Sequence, residues 1–202
     1  MRPGFALLAA LSFGCCAPTD GTGDHGGVPI DGGSEPVPDV RRFCGPDAAG
    51  ELRDGELVIV GPCLLAGARA AGEFDQRGVV EVTGRLRLQN GPDLSVAEFD
   101  SVRHVGGSLA IIGNDLLTTA RFPALESVGS NVEVDANDVL AQFSIPSLAR
   151  VGGSMILRNN PLLGVCQADE AALRAQIDIA RDFVNADNCA ECCVGEPVTG
   201  AP

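Results

Sequence analysis

The feature that most constrains this chain is a repeat of constant length. Val105-Gly106-Gly107-Ser108-Leu109, Val128-Gly129-Ser130-Asn131-Val132 and Val151-Gly152-Gly153-Ser154-Met155 recur every 23 residues, and one step back falls Val82-Thr83-Gly84-Arg85-Leu86. Four coils share this register without an insertion. Independent columns agree: Phe99, Phe122 and Ile145; then Val79, Val102, Leu125 and Leu148; then Leu86, Leu109, Val132 and Met155; then Leu88, Ile111, Val134 and Leu157. Each unit closes on Leu94, Leu117, Leu140 or Leu163. Pairs such as Leu109 and Ile111 alternate with the period of a strand, placing both side chains on one face. A single coil cannot bury such a stripe, but stacked coils can, each strand pairing in parallel with the next. The spacing therefore predicts a mainly β, parallel solenoid of 23-residue coils.

Two further columns belong to corners. Gly106, Gly129 and Gly152 mark one, where a positive φ or a close backbone approach calls for glycine; Thr83 departs from it in the first coil, so that corner must differ. Asn114, Asn137 and Asn160 mark another, with Gly91 in the first coil, and stacked asparagines suit a hydrogen-bonded ladder between coils. Asp115 and Asp138 stand beside that ladder. A calcium site there is disfavoured, because the acidic column is interrupted by Pro92 and Pro161 and lacks a multi-carboxylate loop.

Leu109-x-Ile111-x-x-Asn114-x-Leu116 resembles the core of a leucine-rich repeat. The fuller unit, with Phe122-Pro123-Ala124-Leu125-Glu126-Ser127-Val128-Gly129 and Asn159-Asn160-Pro161-Leu162-Leu163, resembles the receptor L-domain family over about residues 44 to 193. That resemblance implies a right-handed β-helix-like solenoid with a binding or surface role, of a kind found in receptor ectodomains and bacterial lipoproteins.

The ends of the chain read differently. Met1-Arg2, an apolar run from Phe5 to Phe13, and Gly14-Cys15-Cys16 have the layout of a secretory signal, too short for a spanning helix of roughly 20 apolar residues. Leu11-Ser12-Phe13-Gly14-Cys15 resembles a bacterial lipobox, which implies lipidation at Cys15, although Ser12 and Phe13 depart from the usual pattern. Cleavage near Ala17 is the alternative, and Pro18 disfavours it. Residues 1–15 are accordingly read as signal, 16–42 as a Gly/Pro/Asp-rich tether, 43–193 as solenoid with caps, and 194–202 as an unstructured tail. The expected location is the cell envelope, with the membrane reached through a lipid anchor only; a periplasmic or secreted chain is the alternative.

Six cysteines remain for the mature chain: Cys44, Cys63, Cys166, Cys189, Cys192 and Cys193. They lie outside the four regular coils, and an exported chain meets an oxidising compartment, so they are disulfide candidates. The simplest pairing joins Cys44 to Cys63 and Cys166 to Cys189; the connectivity stays open, above all at Cys192 and Cys193. Zinc at Cys189-x-x-Cys192-Cys193 is disfavoured by export and by the lack of a nearby His. Asp169-Glu170 followed by Leu173, Ile177 and Ala180 at helical spacing predicts a capping helix across the last coil.

Charge and composition narrow the function. The net charge is −13, no lysine occurs, and no basic cluster exceeds Arg41-Arg42, which argues against nucleic acid and anionic lipid surfaces. No cofactor-binding loop, metal motif or catalytic arrangement stands out; Glu133 and Asp135 alternate outward on one strand as solvated positions, and His104 aligns with Glu81, Ser127 and Arg150 at a variable corner. The chain is expected not to be an enzyme. The surface expected to bind is the outward face of the stacked strands, with columns Arg87, Ala110, Glu133, Ile156 and Gln89, Ile112, Asp135, Arg158. The expected partner is a protein or glycan of the envelope; a spacer role without a ligand is the alternative.

Overall fold

A computed structural model of the chain describes residues 37–164 and 176–189. The stacked coils present three parallel faces. One is a six-stranded sheet made of β3 (Cys63–Leu65), β5 (Leu86–Gln89), β8 (Leu109–Ile112), β11 (Val132–Asp135), β14 (Met155–Arg158) and β16 (Phe183–Ala186), each paired in parallel with the next. A second, seven-stranded sheet runs β1 (Ala49–Arg53), β2 (Glu56–Val60), β4 (Val79–Val82), β7 (His104–Val105), β10 (Ser127–Val128), β13 (Arg150–Val151), β15 (Asp178–Ile179). The third holds β6 (Val96–Glu98), β9 (Thr119–Arg121) and β12 (Gln142–Ser144). The chain is thus the mainly β solenoid that the repeat predicts, and strand partners across its regular coils lie 23 residues apart, as Leu86 with Leu109 and Glu133 with Ala110.

The core is the set of inward columns. Leu86, Leu109, Val132 and Met155 are fully buried, as are Leu88, Ile111, Val134 and Leu157. Full burial of one such side chain is worth about 1.5–3 kcal/mol, and every coil contributes the same few, so stability accrues coil by coil. Ala97, Ala120 and Phe143 form a further buried column on the third face. Phe74 and Phe99 meet edge to face with ring centroids 5.3 Å apart, Phe99 and Phe122 lie tilted at 5.0 Å, and Phe43 meets Phe74 edge to face at 6.2 Å.

The corners explain their residues. A Cβ on Gly129 would meet the Gly106 carbonyl oxygen at 2.1 Å, and Gly106 and Gly152 face the oxygens of Thr83 and Gly129 at 2.4 and 2.3 Å. Close backbone approach therefore requires glycine there. Thr83 fits its own corner by accepting a hydrogen bond from the Gly61 N–H through Oγ1 at 3.0 Å. A different corner takes left-handed backbone in every coil: Asn90, Gly113, Ala136, Asn159 and Asp187 all have φ between 49° and 63°. Beside it the asparagines form the expected ladder: Asn114 N–H donates to Asn137 Oδ1, and Asn137 N–H to Asn160 Oδ1, both at 3.1 Å.

The ends depart from the sequence reading. Residues 165–175 of the expected capping helix lie outside the described residues; Gln176 is helical, but from Ile177 on the chain leaves the helix, with Ile177 buried and β15 and β16 continuing the two large sheets. Asp178 and Ala180 donate backbone hydrogen bonds to Ala149 and Val151, both at 2.9 Å, and Phe183 enters the inward column opposite Met155. The ladder also extends to Asn188, whose Oδ1 accepts from Asn160 N–H across 28 residues rather than 23. The helix reading placed Ile177 and Ala180 on one helical face, but both belong to the packed part of this longer final coil.

At the other end Cys63 lies one coil ahead of the four regular ones, in the inward column beside Leu86. It forms the expected disulfide with Cys44. In that coil α2 (Ala68–Gln76) stands where later coils place a strand, with Ala71 and Phe74 buried and Asp93 Oδ1 accepting the Ala68 N–H at 2.9 Å. The antiparallel hairpin β1–β2 turns at Asp54-Gly55, both with positive φ, and adds a strand beyond the first coil. The short helix α1 (Arg41–Cys44) follows Val40, which is already buried, so the packed chain reaches back into the stretch read as tether. Cys189 is disulfide-bonded. Cys15, Cys166, Cys192, Cys193 and the tail lie outside the described residues.

Candidate functional site

Strand alternation sends Arg87, Gln89, Ala110, Ile112, Glu133, Asp135, Ile156 and Arg158 to the outward face of the six-stranded sheet, and the registers bring them into two rows. The first row reads Leu64, Arg87, Ala110, Glu133, Ile156, Val184; the second reads Gln89, Ile112, Asp135, Arg158, Ala186. Leu64 and Val184 are exposed, and Ile112 and Ile156 half-buried, so apolar side chains stand on a face that packs against no other layer of the described chain. Ala110 differs from expectation: at 4 % exposure it is covered by its longer neighbours and offers almost no surface. Val184 escaped the sequence reading because its coil is longer than the others, 28 residues after Ile156; Leu64 keeps the 23-residue step before Arg87 but stands in a coil whose sequence lacks the Gly-Ser corner signature.

The two halves of this face carry charge differently. On β11 and β14, Arg158 donates to Asp135 Oδ2 through Nε at 2.9 Å and Nη2 at 2.7 Å, and its Nη2 lies 3.4 Å from Glu133. Asn159 Nδ2 donates to the other Asp135 oxygen at 2.8 Å. Partial burial pushes the Asp135 carboxyl up, but the hydrogen bonds from Arg158 and Asn159 and the guanidinium charge outweigh it, leaving the group below its usual value of 3.8. These charges satisfy one another. On β5, by contrast, Arg87 has Leu64 and Ala110 as register neighbours, forms no ion pair among the described residues, and keeps its Nε buried without an acceptor. Such an orphaned donor costs on the order of 1–3 kcal/mol and calls for an explanation.

The seven-stranded sheet brings together a group that the sequence reading aligned but did not connect. His104 Nδ1 lies 3.0 Å from Ser127 Oγ, and His104 Nε2 lies 3.9 Å from Glu126 Oε2. A serine, a histidine and an acid are thus adjacent, yet an acyl-transfer site also needs free donors for an oxyanion. Here the N–H groups of Glu126 and Ser127 both donate to the Arg103 carbonyl, and Gly129 N–H donates to Val105. Two nearby arginines are engaged as well, Arg53 with Glu81 at 3.6 Å and Arg103 with Glu56, while Arg150 stands exposed beside Ser127 in the register. Among the described residues no group of three or more His, Cys, Asp or Glu is placed to hold a metal ion, and no helix is long and apolar enough to cross a membrane.

Fold and face together define a parallel β-solenoid of 23-residue coils with an uncovered, partly apolar sheet. No family model, curated protein or solved structure matches the chain.

Proposed function

We propose that the chain is an exported, lipid-anchored envelope protein of the receptor L-domain type, whose solenoid acts as a non-catalytic binding module for a protein or glycan. The observation that carries this reading is the set of apolar side chains, Leu64, Ile112, Ile156 and Val184, on the outward face of the six-stranded sheet. Water alone does not call for them, and an uncovered sheet with apolar atoms between arginines suits a docking surface. Supporting the envelope half of the reading is the signal-like segment ending in Gly14-Cys15, followed by a Gly/Pro/Asp-rich stretch that would hold the module away from a membrane.

A spacer without a ligand is the second reading, and the self-satisfied Arg158, Asp135 and Glu133 favour it, since that half of the face already behaves as a solvated sheet. The double variant Ile112→Asp, Ile156→Asp separates the two. Loss of a co-purifying partner with an unchanged far-UV circular dichroism melt supports binding; an unchanged phenotype supports the spacer. Intact mass with labelled palmitate, with and without Cys15→Ala, tests the anchor: a lipid-sized increase abolished by the substitution is the expected result.

A further inference from the structure

Resting on the reading of this sheet as a docking surface, we infer that its β5 end recognises an acidic, aliphatic-rich protein segment, whose carboxylates are taken by Arg87 and Arg85. Three observations carry this. Arg87 stands on a half-apolar platform, between Leu64 and Ala110 in register and beside Gln89 and Ile112, and its Nε is buried without an acceptor. Arg85, the residue just before β5, precedes it by two positions, about 7 Å of extended chain, is exposed, and pairs with no acid among the described residues. The nearest acid of the face, Glu133, lies two strands from Arg87 and is held by Arg158 at 3.4 Å. Two uncompensated guanidiniums therefore share one end of a sheet in a chain of net charge −13.

A carboxylate at this point would give Arg87 the charge-assisted, fork-like hydrogen bonds it lacks. The acids elsewhere on the chain do not cancel the attraction, because charges more than about 8 Å apart are largely screened at physiological salt. The aliphatic surroundings decide between a peptide and an acidic sugar. Leu64 and Ile112 offer methyl groups for branched side chains, whereas sugar rings stack on aromatic faces, and this chain has no Trp or Tyr and buries every described phenylalanine.

The test uses the full chain and fluorescein-labelled peptides of alternating Glu and Val, alternating Lys and Val, and alternating Glu and Ser, read by fluorescence anisotropy. The Glu/Val peptide should bind at least tenfold more tightly than either control, weaken as salt is raised, and lose roughly 10- to 100-fold in affinity on Arg87→Gln or Arg85→Gln. Circular dichroism melts of the variants verify that they remain folded. Absence of a preference for Glu/Val over Lys/Val, or an unchanged affinity in Arg87→Gln, overturns the inference. So does displacement of the peptide by oligogalacturonate at lower concentration than by unlabelled Glu/Val peptide, which would make the ligand an acidic glycan. The variant Ile112→Asp keeps the two levels apart. Glu/Val and Lys/Val peptides that bind equally, and are both lost in Ile112→Asp, would leave the docking face standing and remove only the acidic partner; binding that depends on neither Ile112 nor the arginines would remove both.

Discussion

Replacing Asn137 by alanine should cost about 4 kcal/mol, because that side chain is completely buried and serves three coils at once. Its Oδ1 accepts from the N–H and the Nδ2 of Asn114, both at 3.1 Å. Its Nδ2 reaches the Ile111 carbonyl at 3.0 Å, the Asp135 carbonyl at 3.1 Å and Asn160 Oδ1 at 3.0 Å. Truncation strands the Asn114 N–H and withdraws the donor from the Ile111 carbonyl, two buried groups at about 1–3 kcal/mol each. Asn188 makes similar bonds at the end of the ladder but is half-exposed, so water can replace them and Asn188→Ala should cost about 1 kcal/mol. With no Trp or Tyr in the chain, far-UV circular dichroism in urea is the assay, with unchanged m-values securing the comparison. Asn137→Asp adds a sign. A carboxylate facing those carbonyls has its pKa raised by burial, so the variant should lose stability as pH rises above about 4 and recover below it. A cost under about 1 kcal/mol for Asn137→Ala, or equal costs at the two positions, would refute the view that the ladder binds coil to coil.

Three further outcomes follow from the corners and the face. Gly129→Ala should destabilise strongly, because its Cβ meets backbone at 2.1 Å, whereas Gly72→Ala in α2 meets nothing within 4 Å and should stabilise by up to about 1 kcal/mol; thermal melts of the pair check the contrast. Ala136 is the one residue of the left-handed corner with neither a glycine's freedom nor an amide or carboxyl side chain, so Ala136→Asn should raise stability by about 0.5–1 kcal/mol in the urea titration. Asp135 should titrate below 3.8 by carbon NMR and move up in Arg158→Met. Since its folded pKa is depressed, its contribution is present above the unfolded value and is lost as pH falls through the folded one.

What the sequence made legible was what repeats. The buried columns from Leu86 to Met155 and from Leu88 to Leu157, the Asn ladder and the outward rows stand where constant spacing puts them, because each coil solves the same packing problem. Coils that solve it differently were hidden. Residues 178–189 join the solenoid after a longer excursion, so Ile177 looked like one turn of a helix face rather than the buried residue that leads into β15. Cys63 looked like part of a cap because Gly61-Pro62-Cys63 replaces the usual Gly-Gly-Ser-Leu signature and α2 replaces a strand. In the face, the pairing of Arg158 with Asp135 could be anticipated from adjacent rungs. The isolation of Arg87 could not, since it depends on Leu64, from a coil that keeps the 23-residue step without its sequence signature, standing on one side of it.

The measurement that bears most directly on the recognition role is site-specific photo-crosslinking in the native envelope. A benzophenone amino acid would replace Gln89 on the outward face of the six-stranded sheet in one strain, and Thr119 on the third face in another. The expected result is one discrete crosslinked species from position 89, absent from position 119 and lost when Arg87→Gln or Ile112→Asp is added. Crosslinks that are missing from position 89, or equal from both positions, would contradict a docking role for this sheet.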